Sequence, residues 1–430
     1  MSRRGSGTCE RSRRSGAAER GGPDAALVAA LTVAIDGAFG ELRRSVRKTL
    51  VLVCAALMAV LTAARGGAGR LSLGAVYRGL PVPTRPHSRE NRLRRFLDNP
   101  RLDGRAVSTG LGRLLGARGV RGFWPVLVDQ TAIGPVQALM AAVPCQGRAL
   151  PLLVYTFEYP WRDRVASQNR LEEIFFTDLV ASVPARCVPV LVGDRGYCRA
   201  RLLQRFQQAG TWMLVRGRSG TVIEVQGHRQ KLAALAAPPR RAVRYPDVRY
   251  HAHQRVPVDV VVYHDPAFRE PWYLLVPCWT RPAWTPAEIV AVYRRRMQIE
   301  QSFRDFKTHL GVRGLQLKAR VAERLGRLLL AFCLAYAVLL LLGLTPVAQR
   351  ARADLEILRR RPRHGTRRTL SVLSIAMQML SHARHVWRAF AALLRLLLRW
   401  AGGHPALPLP RLRGAIGPHE TEGGQGSPGP

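Results

Sequence analysis

The chain has 430 residues and carries 67 Lys and Arg against 28 Asp and Glu, a formal net charge of +39. That excess points to a polyanion partner, most simply DNA or RNA; drift toward arginine codons accounts for scarce lysine but not for so few carboxylates. The seven scattered cysteines, with no C-x2-C pair, exclude a thiolate metal site and a disulfide framework, and read as free thiols in a reducing compartment.

At this length the chain holds two or three domains. Residues 1–23 are Arg/Ser/Gly-rich and read as a disordered basic tail, with no apolar stretch of the kind a signal peptide needs. Residues 24–118 read as a helical DNA-binding domain. Asp24 opens one helix, Leu50 to Leu61 form an apolar second, and His87 to Asp98 a basic one with Leu93, Phe96 and Leu97 inward. Arginines on one face of a compact helical unit suit DNA binding, although a solvated basic face has the same pattern.

The pattern changes at Phe123. Phe123 to Thr131 reads as a buried strand ending in an aspartate, Asp129. Gln137 to Pro144 and Leu150 to Phe157 are the next two strands, joined by the turn Cys145-Gln-Gly-Arg148. A helix over Asn169–Ser182 follows, then a strand from Cys187 that ends at Asp194, a helix over Arg199–Ala209, and a strand from Thr211. Three strands, helix, strand, helix, strand is the order of an RNase H-like core. In such a sheet strands one and four are neighbours, so Asp129 and Asp194 can meet. Residues 220–277 read as a β-rich insertion, with strands at Thr221–Val225, Val258–Tyr263 and Trp272–Pro277.

Thr285-Pro286-Ala-Glu288 supplies an N-cap, a first-turn proline and an acidic third position for one helix that runs through Lys307. Val292, Ile299, Phe303, Phe306 and Leu310 form its apolar stripe. Beside it Arg296, Glu300 and Lys307 stand 3, 7 and 14 residues after Tyr293, which at ~100° per residue places all four on a face roughly 60° wide. Opposite charges at such spacing often form nothing more than salt bridges. Lys307, however, is one of only four lysines, with Lys48, Lys231 and Lys318, so an ammonium at that place carries information. Leu328 to Leu344 is long enough to span a membrane and otherwise reads as a buried helix. Two more helices lie within 347–360 and 366–400, and the Pro/Gly-rich residues 402–430 read as a disordered tail.

The spacing Y-x2-R-x3-E-x6-K, with Val-Asp129-Gln-Thr and Gly-Asp194-Arg-Gly-Tyr197 upstream, resembles insertion-sequence transposases of the IS-four type over roughly residues 85 to 345. The resemblance implies an α/β fold: an RNase H-like mixed sheet with flanking helices at 119–345, a β-rich insertion before the last catalytic helix, an N-terminal helical domain, and a C-terminal helical region at 346–401. It implies an Asp-Asp-Glu enzyme in which Asp129, Asp194 and Glu300 are catalytic and hold two Mg²⁺ or Mn²⁺ ions. Hard cations with oxygen ligands relieve the mutual repulsion of three carboxylates and activate water or a 3′-OH at a phosphodiester. Tyr293, Arg296 and Lys307 would hold DNA phosphates, and Arg195 and Tyr197 would help with strand contacts. Trp272, Trp279 and Trp284 are available to stack on an extruded base, or to fill the core. Met297 departs from the tryptophan many members carry there.

The expected function is metal-dependent cleavage and strand transfer at insertion-sequence ends, hence DNA transposition and recombination, in the bacterial cytoplasm and close to the nucleoid. The partners are double-stranded DNA, as terminal inverted repeats and as target, and a second copy in a homodimer, with no membrane. The alternatives are a catalytically inactive, transposase-derived DNA-binding protein and a membrane-associated protein built on residues 328–344.

Overall fold

The computed structural model describes residues 23–65, 71–115, 122–159, 167–183, 187–312, 315, 317, 321–362 and 366–402. The tails expected at 1–23 and 402–430 fall almost wholly outside them. Five helices come first: α1 (Pro23–Ala38), α2 (Arg44–Arg65), α3 (Leu73–Arg78), α4 (Pro86–Leu97) and α5 (Gly104–Leu115). On α4 the expected face is buried, with Leu93, Phe96 and Leu97 each at most 3% exposed, while Arg94 and Arg95 face solvent. All six described cysteines are free.

The core strands appear where the apolar runs place them: β1 (Gly122–Ile133), β2 (Val136–Cys145), β3 (Arg148–Glu158), β4 (Cys187–Gly193) and β5 (Trp212–Arg216), with α6 (Gln168–Ser182) and α7 (Ala200–Gln208) between them. β1, β2 and β3 pair antiparallel. The β2–β3 turn uses positive φ at Gln146 (44°) and Gly147 (84°), the geometry a two-residue hairpin favours. β4 pairs parallel with β1 on one side and with β5 on the other.

The expected β-rich stretch joins the main sheet. Its strands β6 (Val222–Val225), β7 (His228–Lys231), β8 (Ala242–Tyr250), β9 (Val256–Tyr263) and β10 (Trp272–Val276) continue the main sheet, because β10 pairs antiparallel with β5. The result is one mixed sheet of ten strands in the order β3-β2-β1-β4-β5-β10-β9-β8-β6-β7. The open edge of β5 is covered in this way, which removes an unpaired row of backbone groups. β7 and β8 were not expected from sequence: His228-Arg-Gln-Lys231 is wholly polar, and β8 carries two arginines, an aspartate and a proline.

The single helix expected from Pro286 to Lys307 is three pieces: α8 (Pro286–Arg294), α9 (Met297–Arg304) and one π-helical turn over Asp305–His309. The Thr285–Glu288 capping box starts α8 as expected. The break comes where Arg296 N–H bonds to Tyr293 C=O (2.9 Å) and Ile299 N–H to Arg296 C=O (3.1 Å), i→i−3 bonds that tighten the turn and rotate the following face. At the far end Leu310 N–H reaches back to Asp305 C=O (2.8 Å).

α10 (Val321–Leu344) follows, and every residue from Leu328 to Leu344 is buried. It packs on β3 and against α2, α4 and α12, so it is apolar all round because it is surrounded on all sides. It and Arg44–Ala63 are long and apolar enough to cross a membrane by length and composition, yet 89% of the α10 window is buried in the fold. α11 (Pro346–Leu355) comes next. The long helix expected at 366–400 is split into α12 (Val372–Ser381) and α13 (Val386–Ala401), with the buried His385 at the break hydrogen-bonded to its neighbour His382 through the backbone (2.9 Å). α13 packs on α1, which joins the two ends of the chain.

Close packing around α10 depends on glycine. A Cβ on Gly343 would lie 2.0 Å from the Val372 carbonyl oxygen, and one on Gly326 2.4 Å from Thr156 Oγ1. Gly343→Ala is therefore expected to lower stability by about 1–3 kcal/mol, the range of overpacking in a filled core. A thermal melt matching wild type would show that α10 and α12 do not approach this closely.

Candidate active site

The parallel register brings two aspartates together. Leu127 on β1 pairs with Val192 on β4, and two residues further along each chain come Asp129 and Asp194. Neighbouring strands lie about 4.8 Å apart, so both carboxyls rise from one edge of the sheet. Asp129 accepts the Gln130 N–H (2.8 Å) at Oδ1. Asp194 Oδ1 accepts the Gly196 N–H (2.7 Å). A Cβ at Gly196 would lie 2.9 Å from that same oxygen, and one at Gly193 would lie 2.9 Å from the Tyr197 ring. The Gly-Asp-Arg-Gly-Tyr sequence is thus a turn in which both glycines make room for their neighbours.

Glu300 arrives on α9, which packs over β1, β2 and β3. A buried polar cluster anchors that helix. Ser302 Oγ accepts the Ala149 N–H (2.8 Å). Asp305, 1% exposed, takes Arg148 Nε (2.5 Å) and the Tyr336 hydroxyl (2.8 Å) of α10. β3, α9 and α10 therefore meet at one buried carboxylate, which satisfies the requirement that a buried charge be paired.

Arg296, in the tight turn before α9, spans the remaining gap. Its Nη1 donates to Asp129 Oδ2 (3.1 Å) and its Nη2 to Glu300 Oε1 (2.5 Å), and its side chain is only 14% exposed. Asp129 is strongly perturbed. Burial pushes its carboxyl up to about 6; Arg296 and the Gln130 N–H pull the other way, and the charges of Asp194 and Glu300 add to the rise. The oxygens of Asp129, Asp194 and Glu300 do not all lie within 4.8 Å of one another. Asp247, Asp259 and Cys278 are the group that meets that spacing among the described residues. There the fully buried Asp259 is already held by Arg281 (2.7 Å) and Arg244 (3.3 Å), so this second cluster is neutralised inside the protein.

The other expected residues divide. Tyr293 and Tyr197 are 5% and 4% exposed, so both lie under the acidic edge instead of presenting their rings to a strand. Tyr197 packs edge-on against Phe176 (5.9 Å), and Tyr293 against Trp272 (5.1 Å). Arg195 is on the surface and pairs with Glu270 (3.0 Å), which also holds Arg216 (3.3 Å). Lys307 is half-buried in the π turn, whose extra residue shifts it off the face a regular helix would give. Of the tryptophans, Trp284 is buried at 4%, Trp272 is half-buried and Trp279 is 37% exposed.

Sequence reading missed the far wall. A cleft of about 330 Å³ is lined by Asp129, Asp194, Gln168, Asn169, Glu172 and Arg199, among others. Glu172 is 5% exposed and is held by Arg199. Nothing marked it in the sequence except an acid on the inward side of a helix.

Residues 162–336 match the family model for the transposase DDE domain. The match covers less than half of the chain. It contains Asp194 and Glu300, and Asp129 precedes it on β1. The match supports a DDE transposase, and with it transposition and a nuclease or transferase activity, in a family that typically uses divalent metal. No curated protein matches the chain. Among solved structures, the cryo-EM structure of the piggyBac transposase synaptic complex with hairpin DNA is 11% identical, with a TM-score of 0.42, and the alignment covers 92% of this chain and 85% of that one.

The raised Asp129 pKa has a consequence for stability. Relative to the ordinary 3.8, the folded protein keeps a proton that the unfolded chain releases. Asp129 therefore favours the folded state only below about pH 4, and that contribution is lost as pH rises through about 6. Asp129→Asn removes the penalty, less what Arg296 forfeits by losing an anionic partner. In EDTA at pH 7.5 the variant is expected to be more stable than wild type by on the order of 1–2 kcal/mol, with the difference closing toward pH 4.5. Thermal melts across that range check it; a variant less stable at pH 7.5 by the same margin contradicts the burial penalty.

Proposed function

We propose that this protein is a DNA transposase of the Asp-Asp-Glu type, resembling the IS-four group, with an RNase H-like core that cleaves and joins phosphodiesters at the ends of a mobile element. The observation that carries the reading is the β1–β4 register, which sets Asp129 beside Asp194, together with the arginine that links Asp129 to Glu300. Three distant acids gathered at one sheet edge need a cation to answer them.

The donor set fits Mg²⁺ or Mn²⁺. It is all carboxylate oxygen, with no thiol or imidazole, as hard divalent ions prefer. Asp129, Asp194 and Glu300 would hold the metal, as two ions in our reading, and the metal would supply activation of water or a 3′-OH and charge stabilisation at the leaving oxygen. The protein's own share is positioning. Phosphoryl transfer needs no covalent protein nucleophile, and alignment with electrostatic support suffices. The Asp305–Arg148–Tyr336 cluster holds Glu300 in place, and Tyr197 and Tyr293 form the floor. In this reading Arg195, Lys307 and, once it leaves its carboxylates, Arg296 would meet phosphates of the strand.

The partner in this reading is double-stranded DNA, first as the terminal inverted repeats and then as target, with two copies of the chain acting as a homodimer. The net charge of +39 supplies sequence-independent affinity that falls steeply with salt. The helical residues 24–118 would carry end recognition.

Glu300→Gln keeps the shape of the side chain and removes its charge. It is expected to bind end DNA like wild type while Mg²⁺-dependent nicking drops by more than about 100-fold, the scale on which loss of one electrostatic stabiliser acts. Gel-shift and nicking assays on the same preparation separate the two. Undiminished nicking would reject Glu300 as a ligand.

A further inference from the structure

The acidic edge is short of positive charge. Asp129, Asp194 and Glu172 line one cleft, and Glu300 is joined to it through Arg296; among the described residues the cations in contact with these acids are Arg199 on Glu172 and Arg296 on Asp129 and Glu300. Among the described residues, four acids against two arginines leave a deficit of two charges. Arg296 nevertheless occupies the approach between Asp129 and Glu300 with both terminal nitrogens. Its Nε is buried without a hydrogen-bond partner, so the guanidinium is held mainly by the two carboxylates, with a weaker contact from Nη2 to Met297 Sδ (3.5 Å). It also sits in the tight turn between two helices, a place where a small backbone adjustment redirects a long side chain.

We infer that Arg296 is a stand-in cation: it bridges Asp129 and Glu300 in the resting protein, and a divalent ion must displace it to be shared by them. This rests on the metal-site reading proposed above. The bridge and metal occupancy compete, because Arg296 sits between the two carboxylates that a shared ion would draw together. Displacement turns a guanidinium 14% exposed into a free cation at the mouth of the cleft, where the nearest anion of the right chemistry is a DNA phosphate. Arginine suits both states, since its fork fits a pair of carboxylates or a phosphate equally well. The arrangement makes metal uptake by the free protein weak and couples it to the arrival of DNA, which offers the displaced arginine a new partner.

The test is Mn²⁺ binding to the full chain without DNA, followed by calorimetry and by the electron paramagnetic resonance signal of free Mn²⁺. Arg296→Gln is expected to bind Mn²⁺ about 10-fold more tightly than wild type and to show a larger rise in melting temperature on adding Mn²⁺. Its metal-free melting temperature falls, since two carboxylates lose their counter-ion. Arg296→Lys keeps the charge but loses the fork, and its affinity is expected to lie between the two. Affinity in both variants equal to or weaker than wild type, with cooperative melts, overturns the inference. Asp194→Asn separates this from the reading beneath it. If Asp194→Asn loses Mn²⁺ binding while neither Arg296 variant gains, the acids hold metal and only the exchange fails. If none of these proteins binds Mn²⁺, or Asp194→Asn binds as wild type does, the metal site itself fails.

Discussion

Repulsion among carboxylates at one sheet edge is the constraint around which this molecule is arranged. β1 and β4 are parallel neighbours, so an aspartate near the same level of each puts two like charges about one strand spacing apart. α9 then lays Glu300 over them. Burial is the main reason the Asp129 carboxyl is pushed up to about 6, and the charges of Asp194 and Glu300 add to the rise. A protein selected for stability alone would replace these acids. Their presence, with Arg296 holding two of them, is the observation from which the proposed metal site is argued.

The scaffold answers with rigidity. α10 runs buried beneath β3, and its Tyr336 reaches Asp305, which Arg148 of β3 also holds. A buried ion pair of this kind adds little net stability, because the desolvation of two charges offsets their attraction. What it supplies is a fixed relation between the helix that carries Glu300 and the sheet that carries Asp129. The extension of the sheet through β10 to β7 acts in the same direction. It braces β5 and brings Glu270 to Arg195 and Arg216, tying the turn after Asp194 to the far half of the molecule.

Much of this was legible beforehand, and the losses have physical causes. The β1 to β5 strands are apolar runs ended by turn residues, a local signal that survives folding. Leu328–Leu344 was legible as a helix for the same reason. The single helix through Lys307 was not a safe extrapolation. A 100° rule carries an error that accumulates with length, and here a tight turn and then a π turn intervene, both set by tertiary partners of Arg296 and Asp305 that no local pattern reveals. β7 lies at the sheet edge and is wholly polar, and β8 mixes arginines, an aspartate and a proline with its apolar residues, so neither carries a clear period. Glu172 escaped because its role comes from Arg199, 27 residues away.

In a chain this rich in arginine, residue identity loses its usual weight. An arginine at any position is what composition alone would deliver, so Arg296 carries little information as a letter. Lysine is the rarer choice, and Lys307 therefore looked the more informative of the two. Geometry reverses that order. Two terminal nitrogens of Arg296 reach two different carboxylates at once, which an ammonium, a point charge on a flexible stem, does poorly. Arginine is required at that turn for its fork as well as its charge. The feature of the site that depends most on a particular side chain is thus the one that composition conceals, and it becomes visible only once the β1–β4 register and the turn before α9 are known.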